Sequence, residues 1–206
     1  MSRIQKKNDH SDNSMINENA IALPLTYLPT VNWFAGVSEK LIIYKYENYR
    51  KENHPNRCKI VSANGLINLN IPLSGGRNQK TRISDLEIAG TNWKRNHINS
   101  IKSAYGKAPY FIYYFDELEK IIKESNDNYF ELCIQLIKWL KRELIPSVLL
   151  IITEEEIEII KAVSNEAKKY YQVFENKFGF QKDVSAIDLL FCMGPEAKEY
   201  MKKSSI

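Results

Sequence analysis

Two kinds of hydrophobic periodicity occur in this chain, and their order along it constrains the fold more than any other feature. Short apolar runs of strand length, such as Leu41–Tyr46 and Leu66–Leu73, fill the N-terminal half. The C-terminal half has helical spacing, most clearly in the apolar stripe of Tyr129–Leu144. The pattern predicts an α/β (or α+β) single domain, with a mixed sheet in the N-terminal half and a helix-rich C-terminal half.

Local signals predict where several elements begin and end. Asn64-Gly65 between two apolar runs indicates a β-hairpin. Thr153 with Glu156 forms a capping box that predicts a helix through about Tyr170, and Ser185 with Asp188 forms another at the start of a closing helix. Further predicted elements are helices over Val31–Lys40, Trp93–Tyr105 (with Asn92 as N-cap) and Pro195–Met201, and strands over Thr81–Ile88 and Ser147–Ile152.

Length and composition favour one soluble domain. At 206 residues the chain can bury a substantial core, and we expect a disordered polar tail over residues 1–19 followed by a domain over residues 20–203. The sequence holds no apolar run of the ~18–20 residues needed to span a bilayer and no signal-peptide core, so the cytoplasm is the expected location. The histidines and the three cysteines lack metal-site spacing, so we expect no metal and no cofactor.

The charge is unevenly distributed. The segment Arg50–Lys107 contains eleven basic and three acidic residues, a formal charge of +8, which leaves −4 on the remainder of a chain whose total is +4. Such a basic segment favours an anionic partner, either a small molecule with a phosphate or carboxylate or a nucleic acid. The alternative is a solvated basic surface with no partner.

The main candidate site is the polar stretch Tyr46–Ile60, which directly follows an apolar strand-like run. Open α/β folds usually bind ligands where a buried strand ends. Within it, Arg57 can hold an anion through two parallel hydrogen bonds, Asn56 offers a donor and an acceptor, and His54 is the candidate catalytic general base. Alternatively, Arg57 pairs with an acidic neighbour such as Glu47, and His54 packs in a rigid turn.

Further candidates for ligand binding lie elsewhere in the chain. Tyr27 lies in a proline-bounded turn, where it stacks on a ligand or wedges at the edge of the core. Arg77 lies in a glycine-containing loop that is suited to phosphates, and Lys94 and His97 belong to a basic helix, where a surface histidine without a ligand is the alternative. We expect Cys58 to be a small buried hydrophobic residue.

Four ordered blocks resemble a known family. They are Leu23–Pro29, Glu47–Ile60, Asn92–Phe111 and Tyr170–Ala197. Together they resemble the WbqC-like family in its Bacteroidetes-type version, over roughly residues 20–201. Members of the family occur in gene clusters for O-antigen and other surface polysaccharides, and the resemblance implies a glycine- or aminoacyl-transferase role. The sequence departs from the family pattern at Leu23, His54-Pro55 and Cys192.

Three functional hypotheses follow. The first is a transferase that moves an aminoacyl or acyl group from an anionic activated donor onto an activated sugar, with Arg57 and Lys94 on the anion, Asn56 and Tyr27 on the acceptor, and His54 moving protons. The second is a non-catalytic module that binds a partner protein or nucleic acid. Nucleic acid is the less favoured partner, because the sequence contains no nucleic-acid-binding motif. The third is a partner subunit that has lost catalysis. The sequence leaves the oligomeric state open.

Overall fold

The computed structural model describes residues 20–74, 81–160 and 168–204, and seven strands and seven helices lie in these ranges. The strands are β1 (Ala20–Ala22), β2 (Lys40–Tyr44), β3 (Arg57–Ser62), β4 (Gly65–Asn70), β5 (Leu73–Ser74), β6 (Glu87–Ile88) and β7 (Leu149–Thr153). The helices are α1 (Val31–Phe34), α2 (Asn92–Tyr105), α3 (Phe111–Glu124), α4 (Tyr129–Leu144), α5 (Glu175–Phe178), α6 (Ala186–Met193) and α7 (Glu196–Ser204). The expected tail and the loop with Arg77 and Lys80 lie outside the described residues.

A three-stranded parallel sheet brings together distant parts of the chain, in the order β1-β2-β7. Ile42 of the central strand pairs with Ala22 on one side and with Ile151 on the other. Leu41, Ile42 and Ile43 are all buried, as expected for a parallel strand that is covered on both faces. Because the strands run parallel, their carboxyl ends meet at one edge of the sheet, and this edge positions the candidate site.

Two antiparallel pairs complete the strand structure. β3 and β4 form the predicted hairpin, in which Ser62 pairs with Gly65 across the two-residue turn Ala63-Asn64. Gly65 has φ +101°, a value that glycine adopts without steric cost. β5 pairs with β6. Parallel and antiparallel pairing in one helix-rich domain confirms the predicted α/β class.

Helix α4 has the bounds that its periodicity predicts and packs against α3, α6 and α7. Asn128 caps its first turn, because its side chain accepts a hydrogen bond from the Glu131 amide at 2.9 Å. The buried face of α4 belongs to one hydrophobic core that also includes side chains of β2, the hairpin and the other long helices. Within the described ranges, no helix is long and apolar enough to cross a membrane.

Two predictions in the N-terminal half were wrong. The helix expected over Val31–Lys40 ends at Phe34, because Gly36 takes φ +87° and Lys40 already pairs in the sheet. The strand expected over Thr81–Ile88 is mostly a single 3₁₀ turn over Ile83–Asp85, followed by the two-residue β6. The apolar spacing there reflects that turn, since Ile83 and Leu86 face the core three residues apart.

One predicted capping box does not start a helix, and the other is only half formed. The Thr153 hydroxyl accepts from the Glu155 amide, and residues 154–160 are not helical. The Ile160 amide instead donates to the Ala22 carbonyl at the end of β1. At α6, the Ser185 side chain accepts from the Ile187 amide, as expected of a cap. Asp188 does not complete the box, because its carboxylate is fully buried in the core. In α2 the N-cap is Thr91, since Asn92 is already helical.

Candidate functional site

A cavity of about 460 Å³ opens at the carboxyl edge of the parallel sheet. All three strands contribute to its wall through the residues at or just after their carboxyl ends. The lining residues are Pro24 after β1, Tyr44, Tyr46, Glu47, Asn48, Arg50 and Asn53 at and after the end of β2, Arg82 from the segment before β6, and Glu156, Ile157 and Ile159 after β7. We call this space the edge cavity.

Backbone pairing assembles the wall from distant segments. The Ile83 amide donates to the Glu47 carbonyl at 2.8 Å, and the Tyr49 amide donates to the Thr81 carbonyl at 2.9 Å. These bonds flank an isolated antiparallel bridge that brings Arg82 opposite Asn48. The segment with Arg82 therefore closes one side of the edge cavity.

The cations around the edge cavity differ in their partners. Lys45 forms a 2.6 Å ion pair with Glu154, which raises the pKa of Lys45 and lowers that of Glu154. The Arg82 guanidinium lies 4.8 Å from the centre of the Tyr46 ring, a cation–π contact that orients it. Within the described ranges, neither Arg50 nor Arg82 has a carboxylate at ion-pair distance. Their guanidinium groups are therefore available to an anionic ligand.

Glu47 is the half-buried carboxylate of the edge cavity. Its Oε2 atom is buried and has no hydrogen-bond partner within the described ranges. Burial raises the pKa of Glu47, while a backbone hydrogen bond from Leu25 and the charge of Arg50 oppose that shift. Glu47 therefore brings a half-buried negative charge to the wall of the edge cavity, close to Arg50.

Tyr27 and His97 meet in the core, not at a surface. The Tyr27 hydroxyl and His97 Nδ1 are joined by a 3.0 Å hydrogen bond, and both side chains are buried beside Trp93. Burial lowers the pKa of His97 to about 4, although a hydrogen bond with the Asn70 backbone opposes the shift. In this conformation neither side chain reaches a ligand, so their contacts support the fold.

Asn56 and Arg57 hold the start of the hairpin. Asn56 Nδ2 donates to the Ile71 carbonyl at 2.7 Å, and Arg57 Nε donates to Asn70 Oδ1 at 3.1 Å. Arg57 therefore bonds to the amide side chain of Asn70, and not to an acidic side chain as the alternative prediction expects. Arg57 is exposed, and neither residue lines the edge cavity.

His54 is exposed, whereas Lys94 binds the end of a helix. His54 is exposed in the left-handed conformation (φ +46°) after the 3₁₀ turn Lys51–Asn53. Lys94 Nζ donates to the carbonyls of Lys123 and Ser125 at the end of α3, which satisfies groups that a helix terminus leaves free. The segment with His54 and Arg57 lies against that of Tyr27, since the Arg57 amide donates to the His54 carbonyl at 3.0 Å and the Tyr27 amide donates to the Pro55 carbonyl at 2.8 Å. The Tyr27 side chain itself is buried.

The sequence indicates one wall of the edge cavity but not the opposite walls. Glu47, Asn48 and Arg50 fall within the stretch that sequence analysis selected. Arg82 gave no sequence signal, because it arrives through backbone pairing with a segment more than thirty residues away. The capping-box pattern predicts a helix start at Glu156. The position of this residue just after an apolar strand was the sequence signal that could have placed it at the edge of the sheet. In the described part of the chain, no three His, Cys, Asp or Glu side chains are grouped to hold a metal ion.

A known protein family matches the greater part of the chain. Residues 26–159 match the model of a family described as the WbqC-like protein family. The matched range contains every residue that lines the edge cavity except Pro24, and it ends before the block Tyr170–Ala197. No curated protein and no solved structure matches the chain significantly.

Proposed function

Because this chain belongs to the WbqC-like protein family, we propose that it is an acyl- or aminoacyltransferase of O-antigen or other surface polysaccharide biosynthesis. In this proposal it acts in the cytoplasm and binds an anionic activated sugar or acyl donor in the edge cavity. The observation that carries the proposal is the presence of two exposed arginines, Arg50 and Arg82, in a cavity at the carboxyl edge of a parallel sheet, where no described carboxylate forms an ion pair with either.

The size and position of the edge cavity support a small-molecule ligand. Its volume of about 460 Å³ falls within the range of roughly 300–1,000 Å³ that is typical of ligand pockets. Its location follows the general rule that open α/β sheets bind ligands beyond the carboxyl ends of their strands. Asn48 and Asn53 add amide groups that suit the hydroxyls of a sugar.

We assign the anion-binding role to Arg50 and Arg82 instead of Arg57 and Lys94. Guanidinium groups hold phosphates and carboxylates through paired, charge-assisted hydrogen bonds. Lys94 already donates to the end of α3, and Arg57 lies outside the cavity. His54 stays the proposed proton-transfer residue, since it is exposed and directly follows the cavity-lining Asn53.

A thermal-shift screen tests this proposal. The panel contains nucleotide-sugars, coenzyme A thioesters, aminoacyl-adenylate analogues and short oligonucleotides. We expect a nucleotide-sugar or an activated acyl compound to raise the unfolding midpoint of the wild type, because a ligand stabilises the state that it binds. The double variant Arg50→Ala/Arg82→Ala should lose that increase. The matched control Arg57→Ala, an exposed arginine outside the cavity, should keep it. Loss of the increase in Arg57→Ala alone, or no increase with any small molecule, would contradict the proposal.

A second candidate function is non-catalytic binding of nucleic acid. Arg57 and Lys59 are exposed on the same face of the hairpin, opposite Asn70 and Asn68. A stripe of this kind can contact phosphates. In the same screen, an increase with oligonucleotides alone that falls steeply with added salt, and that Arg57→Ala removes, would favour this function over the transferase.

A further inference from the structure

Strand β7 is an open edge of the parallel sheet. Within the described ranges the strand order is β1-β2-β7, so β7 pairs with a neighbouring strand on one side only. The Leu149 amide donates to the Glu39 carbonyl at 2.8 Å, which shows that the odd-numbered residues of β7 bond to β2. Because the bonding direction alternates along a strand, the amides and carbonyls of Leu150 and Ile152 point away from β2.

The opposite edge of the sheet is covered by the chain itself. The Leu23 amide donates to the Ile42 carbonyl of β2, so the Ala22 carbonyl before it points outward. This carbonyl accepts a hydrogen bond from the Ile160 amide at 2.9 Å. The segment that follows β7 thus crosses to β1 and covers that edge. In the described part of the chain, no backbone group bonds to β7 from its outer side.

The open edge is apolar and lacks the usual protection against pairing. Leu149 and Ile152 are 57% and 39% exposed, and the strand reads Leu-Leu-Ile-Ile-Thr, without a charged residue or a proline. Natural edge strands that stay unpaired usually carry such residues, because an apolar edge with free amides and carbonyls is a template for another strand. The edge of β7 is therefore suited to strand addition by a further chain.

The sequence of β7 suits antiparallel pairing with a second copy of the same chain. When two β7 strands run antiparallel about a twofold axis at Ile151, Leu150 of each copy lies opposite Ile152 of the other. The outward amides and carbonyls of these two residues then bond each other. Each such pair exchanges both of its hydrogen bonds, and the side chains that meet are apolar in both copies.

Charges at the two ends of β7 favour the same arrangement. Three glutamates, residues 154–156, follow the strand directly. Lys141 lies near the start of the strand, since its Nζ atom donates to the Pro146 carbonyl at 2.9 Å. Antiparallel pairing brings the acidic end of one strand to the basic start of the other, whereas parallel pairing of two copies would place the acidic ends together.

We infer that the protein forms a symmetric dimer in which the β7 strands of two copies pair antiparallel and join the two parallel sheets into one. The inference goes beyond the proposed function and does not depend on it, because it requires no ligand. The two edge cavities then open at opposite edges of the joined sheet, since the carboxyl ends of the two β7 strands point in opposite directions.

Sedimentation velocity tests the pairing of the strands. The wild type should shift to a species of twice the chain mass as its concentration rises through the micromolar range. Ile152→Lys should weaken the dimer by about tenfold or more, because it places two ammonium groups on one face beside the twofold axis. The matched control Leu66→Lys adds the same charge at a leucine of β4 that is 48% exposed, and it should dimerise like the wild type.

Two results of this experiment would overturn the inference. A wild type that stays monomeric would leave the β7 edge to another segment of the chain or to a different protein. A dimer that Ile152→Lys leaves intact would show that the two copies meet on another surface.

A charge exchange tests the antiparallel arrangement without any change in β7. Glu155→Lys and Lys141→Glu are prepared as separate chains, and the dimer of each brings like charges together at both ends of the paired strands. Each should therefore dimerise more weakly than the wild type. In a mixture, both ends of the mixed dimer pair opposite charges, so the mixed dimer should be favoured by about tenfold over either like dimer.

Native mass spectrometry with one of the two variants labelled with ¹⁵N distinguishes the mixed dimer from the like dimers. This measurement also decides the matter if Ile152→Lys does not fold, because both exchanged residues lie outside the strand. A mixture without preference for the mixed dimer would overturn the inference.

Discussion

At the scale of single residues, burial separates the side chains that hold the fold from those that can meet a ligand. Tyr27 and His97 have chemistry suited to a site, but both are buried and bonded to each other. Glu47 and Arg82 also carry polar groups, but these two residues line a cavity. Sequence analysis could identify the residue types but not this difference, because it depends on which helix covers which strand.

Asp188 is the clearest buried polar group outside the edge cavity. Its Oδ2 accepts from the Tyr170 hydroxyl and from Gln172 Nε2, both at 2.8 Å. Gln172 also bonds to the backbone of Gln181 in both directions. The carboxylate therefore connects Tyr170 and Gln172 to helix α6 through hydrogen bonds. Burial raises the pKa of Asp188, although the hydrogen bonds from Tyr170, Tyr105 and Gln172 oppose the shift.

This raised pKa predicts a pH dependence of stability. A carboxyl group that holds its proton more tightly in the folded state stabilises the fold below its unfolded pKa, and this contribution is lost as the pH rises through the folded pKa. The free energy of unfolding of the wild type should therefore fall relative to that of Asp188→Asn as the pH rises above about 4. The slope is about 1.4 kcal/mol per pH unit between the two pKa values. Urea unfolding at several pH values measures it, and a difference that does not change with pH would contradict the account.

At the scale of elements, long periodic segments were predictable and short ones were not. The bounds of α4 follow from an apolar stripe of four turns, and the hairpin follows from Asn64-Gly65. The helix expected after Thr153 does not form over residues 154–160, and the Ile160 amide bonds to the Ala22 carbonyl of β1 instead. Contacts made with a distant strand override local preference in this segment.

The junction between α6 and α7 depends on Gly194. Its φ of +54° is unfavourable for other residues, and a Cβ atom there would overlap the ring of Tyr110. We expect Gly194→Ala to lower the free energy of unfolding by roughly 2–4 kcal/mol, through strain and overpacking together. Gly179→Ala is the matched control, because Gly179 has φ +69° but open space around it. The control should lose less, about 1–3 kcal/mol, because it has backbone strain without an overlap. Equal losses in the two variants would show that the contact with Tyr110 contributes nothing.

At the scale of the whole molecule, one core joins the parallel sheet, the hairpin and the long helices into a single α/β domain of the WbqC-like family. The edge cavity forms only when β1, β2 and β7 lie side by side, although β7 is more than a hundred residues beyond β2. The sequence could indicate that a site follows β2. It could not supply the opposite walls, since these depend on strand order and on the pairing of Arg82 with Asn48.

The central claim is that an anionic sugar ligand binds in the edge cavity, and chemical-shift mapping tests it most directly. The backbone amide resonances of ¹⁵N-labelled protein would be recorded while the nucleotide-sugar that gives the largest thermal shift is added. We expect the largest changes at Glu47, Asn48, Arg82 and Ile157, which lie on three walls of the cavity. Changes confined to Arg57, Lys59 and Asn70 on the hairpin would contradict the account and favour the exposed basic stripe as the binding surface.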